Sequence, residues 1–282
     1  MPDYPFIRLI VADLDGTLLN SEHEITPLTE DAVRQAMVRG VMFTVATGKT
    51  YPSTTGLIER LGITLPVICS NGVLIHAPDG TILQRSPIRR EYAIEAMHMA
   101  DAAGMVTVIY SGASLICREY DRNLAELVEH GEPEPVLIDD LLGAVQSDID
   151  PDKIIFMNGA DLESVIRFQA LLEERFAGRA QAMRSGLDSL VELIPLGISK
   201  GTALDTILDV AGVTAAETMC FGDNCNDLDM IRRAGIGVAM ANAPADVRQG
   251  ADVVTRSNDE DGVGHAIHKF VLNNVHAVRR AE

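Results

Sequence analysis

Two carboxylates stand two residues apart in the run Asp13-Leu14-Asp15-Gly16-Thr17-Leu18-Leu19. On an extended chain such residues point the same way, so both acids can address one small site. One can act as a nucleophile and the other as a proton carrier, a division of labour set by their surroundings. Gly16 permits a sharp turn directly after the pair and frees backbone N–H groups to face an anion. Alone, the pattern is equally that of a loop with two solvated acids. Three further segments bear on it. Thr47-Gly48-Lys49 offers a hydroxyl and an unobstructed amide to phosphate oxygens. Lys200, in Ile198-Ser199-Lys200-Gly201-Thr202, supplies a compact positive charge at a helix start, a suitable place for an anion. Gly222-Asp223-Asn224-Cys225-Asn226-Asp227 offers hard oxygen donors that suit Mg2+. Taken singly, these read as a turn, a solvated lysine and an Asx-rich helix cap.

What unites them is where they fall. Residues 6–12 form a short, branched, apolar run bounded by acids and glycine, the pattern of a buried strand. Ligands of open α/β sheets collect at the carboxyl ends of such strands. Thr26, Pro27 and early acids open a helix that Gly40 stops. Strands are expected over 41–46 and 66–70 with a helix over 52–61 between them, and this β-α-β-α-β order argues for a parallel sheet covered by helices. Past Asn71-Gly72 the rhythm changes to a hairpin over 73–84, a helix over 92–103 and paired strands over 105–110 and 114–120. An acidic loop over 129–135, a strand over 154–158 and a helix over 162–176 follow. The β/α alternation resumes at Lys200 and runs to a final helix from Gly262.

The expected architecture is α/β: a discontinuous, Rossmann-like parallel-sheet core of residues 1–82 and 193–282, with an α+β domain of residues 83–192 inserted in it. Every chemical segment then follows a strand or opens a helix on one edge of that sheet. Asp13, Asp15 and Asp223 crowded there would repel one another and an anionic substrate, which calls for a divalent cation.

Composition narrows the partners. The 282 residues carry 23 Lys+Arg against 41 Asp+Glu, a net charge of −18 that repels nucleic acid and anionic lipid. With 47% hydrophobic residues the chain can build a sizeable core. The longest uncharged stretch, 61–78, is interrupted by Pro66, Ser70, Asn71 and Gly72 and does not suit a membrane span. The first residues lack the basic start of a secretory signal and read as a mature first strand. Cys69, Cys117, Cys220 and Cys225 form no C-x-x-C pair, which points to a reducing, cytoplasmic setting. Cys225, inside the metal-suited loop, is expected to be a buried, inert thiol.

In their order, these segments resemble the four motifs of the haloacid dehalogenase superfamily, and the insertion between the second and third resembles the large C2-type α/β cap of Cof-type phosphatases. Asp13-Leu14-Asp15-Gly16-Thr17-Leu18 matches the first motif, Thr47-Gly48 the second, Lys200-Gly201 with Ala203-Leu204 the third, and Gly222-Asp223 with Asn226-Asp227 the fourth. Ser70-Asn71-Gly72 and Ala241-Asn242-Ala243 also resemble this branch. The likeness spans the core, whereas the cap matches mainly in position and length. It implies a phosphatase of small-molecule phosphate monoesters, sugar phosphates or similar. In that reading Asp13 attacks phosphorus to give an aspartyl-phosphate, while Asp15 protonates the leaving oxygen and then deprotonates water. The resemblance further implies Mg2+ held by the Asp13 carboxylate, the Asp15 carbonyl and Asp223, with Asp227 supporting. Thr47, the Gly48 amide, Lys200 and Asn226 would bind phosphoryl oxygens, and Asn71 is a candidate substrate contact. Two positions depart from the branch. Lys49 replaces the usual Arg and loses its planar fork. Asn224 replaces a common Gly, and Asn tolerates left-handed backbone.

Competing readings share parts of this pattern. A phosphomutase would use the same intermediate and return the phosphoryl group to sugar. A non-catalytic phosphate-binding or phosphoacceptor module would share Asp, Thr, Lys and Mg2+, but here the acid pair lies on the first strand and a large insertion precedes the lysine. A nicotinamide-binding fold is disfavoured because no G-x-G-x-x-G turn follows that strand. Arg118, Arg122 and Arg184 read as solvated surface residues, His265 and His268 as ordinary helix residues, and Met97, Met99 and Met105 as core filler. Leaving-group specificity is expected in the insertion, which can close over the site.

Overall fold

The computed structural model describes residues 5–159, 161–184 and 189–273. In chain order the fold begins β1 (Leu9–Ala12), α1 (Pro27–Val38), β2 (Met42–Val45), α2 (Thr55–Leu61), β3 (Val67–Cys69), β4 (Leu74–His76) and β5 (Ile82–Arg85). There follow α3 (Arg90–Ala103), β6 (Val106–Ser111), β7 (Ser114–Cys117), α4 (Arg122–Glu129), β8 (Val136–Leu137), α5 (Leu141–Ser147) and β9 (Lys153–Met157). Next come α6 (Leu162–Arg175), β10 (Ala180–Met183), β11 (Leu190–Pro195), α7 (Lys200–Ala211) and β12 (Thr218–Gly222). The described chain closes with α8 (Leu228–Arg233), β13 (Ile236–Ala239), α9 (Ala245–Gly250), β14 (Val253–Val254) and α10 (Gly262–Ile267). No helix among the described residues is long and apolar enough to cross a membrane.

The central sheet is parallel, in the order β14-β13-β12-β1-β2. Successive residues of β1 face opposite ways, and all four are apolar and buried: Ile10 and Ala12 join one hydrophobic cluster, Leu9 and Val11 another. Such a strand needs cover on both faces. On one side α1 supplies Ala32, Val33 and Ala36, and α10 supplies Val263, Ala266 and Ile267. On the other α7 supplies Ala203, Leu204 and Ile207. The α1 start is as read from sequence, with the Thr26 hydroxyl accepting from the Thr29 N–H and Pro27 following it.

One strand departs from expectation. The segment at 66–70 meets the parallel sheet through a single bridge, Ala46 to Ile68, and instead ladders antiparallel in β3-β4-β5. The hairpin after Asn71-Gly72 captures its hydrogen bonds.

The second large sheet runs β10-β11-β9-β6-β7-β8, antiparallel except for β7 beside β8. Its strands β10 and β11 and its helices α4 and α5 were not legible in the sequence; α5 is only seven residues long, and Glu192 interrupts the apolar run of β11. One face packs on α3, α5 and α6 through Met97, Val145, Phe168 and Leu172. Met105 joins the same cluster and Met99 packs on it, as core filler should. The opposite face carries Tyr110, Ile155, Met157 and Leu190, with Leu124 and Leu127 of α4.

Candidate active site

The parallel register decides what meets at the carboxyl edge. Ala12 pairs with Phe221 on one side and Val45 on the other, so Asp13, Gly222 and Ala46 emerge side by side. The Asp13 N–H donates to the Phe221 carbonyl at 3.0 Å. Lys200 opens α7 and is buried; its Nζ donates to Asp13 Oδ1 at 2.7 Å and to Asp227 Oδ1 at 2.6 Å. Its departure point is fixed by Ser199, whose hydroxyl accepts from the Thr202 N–H and donates to Asp229 Oδ2 at 2.5 Å. The second oxygen of Asp227 accepts from the N–H groups of Asp223 at 3.0 Å and Asn224 at 2.9 Å, so this acid holds the loop from behind. Asp223 Oδ1 accepts from the Thr17 hydroxyl at 2.8 Å. Gly16, at φ +73°, has no room for a side chain, because a Cβ would lie 2.4 Å from Asp223 Oδ2.

Oxygens of Asp13, Asp223 and Asp227 lie within 4.8 Å of one another. Three carboxylates around one ammonium leave excess negative charge withdrawn from water. Burial, then the nearby Asp227, raises Asp13 well above the usual carboxylate range against the pull of Lys200. The same two causes push Asp223 up to about 7. Burial works against the charge on Lys200, but Asp13 and Asp227 outweigh it and raise its pKa. The donors fit a hard divalent cation, which Asp13 and Asp223 could each meet with an oxygen, whereas both oxygens of Asp227 are engaged by protein donors.

A cavity of about 350 Å3 opens from this cluster, lined from the core by Asp13, Asp15, Thr47, Gly48, Lys200, Asp223 and Asn226. Residues 10–267 of the chain match the model of the haloacid dehalogenase-like hydrolases. The chain belongs to that family. Within it the protein is a Cof-type phosphatase, a phosphoric monoester hydrolase on the haloacid dehalogenase fold. It is 30% identical over 280 residues to the phosphatase YwpJ of Bacillus subtilis, covering 92% of this chain and 98% of that one. It is 29% identical to the B. subtilis 5-amino-6-(5-phospho-D-ribitylamino)uracil phosphatase YcsE, covering 94% and 96%. A haloacid dehalogenase-like hydrolase of B. subtilis superposes with a TM-score of 0.83 at 28% identity, covering 94% of this chain and 100% of the other.

In this hydrolase the remaining expected residues take particular places. Asp15 lines the cavity and accepts from Lys49 Nζ at 2.8 Å, with His23 Nδ1 at 3.4 Å, so the lysine that replaces arginine makes a direct ion pair. Asn71 does not line the cavity: its Oδ1 accepts from Asn226 Nδ2 at 2.9 Å and its Nδ2 donates to Glu192 Oε2 at 2.8 Å. Asn71 therefore spends its amide on Asn226 and Glu192. Asn224 sits at φ −128°, extended, so its tolerance of left-handed backbone is not called upon; the non-glycine residues in left-handed backbone around the site include Ser70 and Asn71 at +50° and +58°. Cys225 is exposed and not buried as expected, because the short turn at Cys225–Asp227 directs Asp227 inward and leaves Cys225 outside. Its thiol is nonetheless pushed up, by desolvation of the sulfur and by Asp246. Arg118 pairs with Asp101 at the surface, and His265 Nε2 lies 2.7 Å from Arg256.

Sequence reasoning missed the residues that the second sheet contributes. Tyr110, Lys153 and Glu192 are buried and line the cavity from above. The signal was present: Lys153 opens the otherwise apolar Lys153–Met157, and Glu192 is the lone charge of Leu190–Pro195. Charges in such strands are buried only with partners. Asn242 was also missed as a site residue; it donates to the Gly16 carbonyl at 2.8 Å and steadies the turn after the acid pair.

Proposed function

We propose that this hydrolase is a Mg2+-dependent phosphatase of small phosphate monoesters, sugar phosphates or similar, working through an aspartyl-phosphate on Asp13. The observation that carries the reading is the buried Lys200 ammonium shared by Asp13 and Asp227 at the closed end of the cavity. Lys200 holds one Asp13 oxygen and turns the carboxylate toward the cavity, where it attacks phosphorus as the ester P–O bond breaks. Asp15 gives its proton to the leaving oxygen. Asp15 then takes a proton from water, whose oxygen attacks phosphorus and releases Asp13 and phosphate. The Thr47 hydroxyl, the Gly48 amide, Lys200 and Asn226 bind the phosphoryl oxygens. Asp13, the Asp15 carbonyl and Asp223 would hold Mg2+, with Asp227 orienting the loop; when bound, the ion offsets the charge of the phosphoryl group and of the acids.

In this reading the catalytic core is residues 1–85 and 196–282 and the cap is residues 86–195, shifted by three from the boundaries expected at 82 and 193 because β5 ladders with the core hairpin and β11 with the inserted sheet. The cap excludes water and meets the leaving group. Relatives named for 5-amino-6-(5-phospho-D-ribitylamino)uracil and, in Serratia proteamaculans, for HMP-PP support a small phosphorylated metabolite as substrate. A reducing cytoplasm suits the free thiols of Cys69, Cys117, Cys220 and Cys225. The test is a phosphate-release screen over small phosphoesters with Mg2+ and with chelator, using Asp13→Asn as the blank. Release that needs Mg2+ and vanishes in the variant is expected. Phosphoryl transfer to a sugar without free phosphate would establish the phosphomutase instead.

A further inference from the structure

We infer that Lys153 and Glu192 form a clasp through which the inserted sheet sets the geometry of the phosphate-binding groups, acting as positioning residues for phosphoryl transfer. The inference rests on the assignment of Thr47, Gly48 and Asn226 to the phosphoryl group.

Both side chains lie on the sheet face away from α3, α5 and α6. Tyr110 pairs with Lys153 across β6 and β9, and Glu192 pairs with Ile155 across β11 and β9. Both are buried, and Lys153 Nζ lies 3.0 Å from Glu192 Oε2. An ammonium has three donor directions. Those of Lys153 go to Glu192, to the Gly48 carbonyl at 2.8 Å, and over the Tyr110 ring at 4.3 Å from its centroid. With those directions filled, Lys153 fastens the turn in place of gripping the substrate.

The turn it fastens is the one that matters. The Gly48 carbonyl and the Lys49 N–H belong to one peptide, and that N–H donates to Thr47 Oγ1 at 3.1 Å. The peptide is thus held at both ends, and the Thr47 hydroxyl, accepting there, keeps its own hydrogen for a phosphoryl oxygen. Glu192 reaches the second arm. It accepts from Asn71, which accepts from Asn226 and whose N–H donates to the Thr47 carbonyl at 3.0 Å. One ion pair of the inserted sheet therefore touches both arms of the phosphate site, and separating the sheet from the core would release both.

The experiment compares the wild-type protein with Lys153→Met/Glu192→Leu, which removes both charges of the pair together. kcat and KM are measured with p-nitrophenyl phosphate and with a hexose phosphate, alongside the affinity for orthovanadate and the melting temperature. The clasp predicts an equal fall in kcat of about 100-fold on both substrates, weaker orthovanadate binding, and a melting temperature within a few degrees of wild type. A loss confined to the hexose phosphate would overturn it in favour of leaving-group contacts, and a changed melting temperature with unchanged kcat in favour of a purely structural pair. Should the double variant not fold, Glu192→Gln is compared in wild-type and Asn71→Ala backgrounds. A smaller loss in the second background supports the relay, and equal, fully additive losses overturn it. A wild-type protein that releases no phosphate from any ester would overturn the underlying reading and the clasp with it. Brisk wild-type turnover with a double variant that keeps pace removes the clasp alone.

Discussion

The core edge and the inserted sheet approach the same cavity by different geometry. In the core every chemical residue lies just past a strand or at the first turn of a helix: Asp13 after β1, Thr47 after β2, Asp223 after β12, Lys200 at the start of α7. A parallel sheet delivers all its strand ends to one edge, so separate loops meet there without any of them having to be buried along its length. The inserted sheet is antiparallel and presents a face. Its contributions, Tyr110, Lys153 and Glu192, lie within strands, and burial obliges them to satisfy one another. An edge collects reactive groups, whereas a face carries paired ones.

If that division holds, the largest effect belongs to the edge. Asp13→Asn is expected to lower phosphate release by at least about 10,000-fold with the fold retained, since an amide is a poor nucleophile. Near-normal turnover in that variant would break the comparison. Gly16→Ala forces a side chain into left-handed backbone and against Asp223; it should cut turnover by about 100-fold and cost about 2 kcal/mol of stability in urea titration. On the inserted side, Glu132 is the sharper probe of docking. Buried, it accepts from the Thr50 and Ser53 hydroxyls at 2.6 and 2.8 Å and from the Tyr110 hydroxyl at 3.1 Å. Glu132→Gln should cost about 1–3 kcal/mol in the same titration while lowering kcat on p-nitrophenyl phosphate far less than Asp13→Asn does.

The smallest effect is a pH dependence of the metal-free protein. The Asp223 pKa is raised to about 7 by burial and Asp227, above an unfolded value of about 3.9. A raised acid favours the folded state when protonated, so its contribution is present below the unfolded value and is lost as pH rises through the folded one. In chelator, therefore, Asp223→Asn should melt higher than wild type at pH 8, with the advantage shrinking toward pH 4. An advantage independent of pH would show that crowding of charge is not its source.

The same division explains what the sequence could disclose. Segments such as Asp13-Leu14-Asp15-Gly16 and Gly222-Asp223 advertise themselves because a strand, a turn and a polar group follow in immediate succession, and their meeting needs only the parallel register. The core strands and helices were legible for the same reason, with β3 misplaced because nothing local reveals whether a strand will ladder with its predecessor or with the hairpin after it. Lys153 and Glu192 lie 39 residues apart on strands whose pairing depends on the whole inserted sheet. β11 was not legible as a strand, so its inward face could not be read. The exposure of Cys225 likewise depends on which way one short turn directs its side chains.

The proposed mechanism requires that a carboxylate oxygen of Asp13 receive the phosphoryl group. The Asp15→Asn protein, mixed with Mg2+ and p-nitrophenyl phosphate, whose p-nitrophenolate leaving group needs little protonation, is expected to form the acyl phosphate and, lacking the base, not to hydrolyse it. Rapid acid quench, digestion and mass spectrometry should find a phosphate adduct on the peptide containing Asp13. Turnover with no covalent adduct, or an adduct on another residue, would contradict the account.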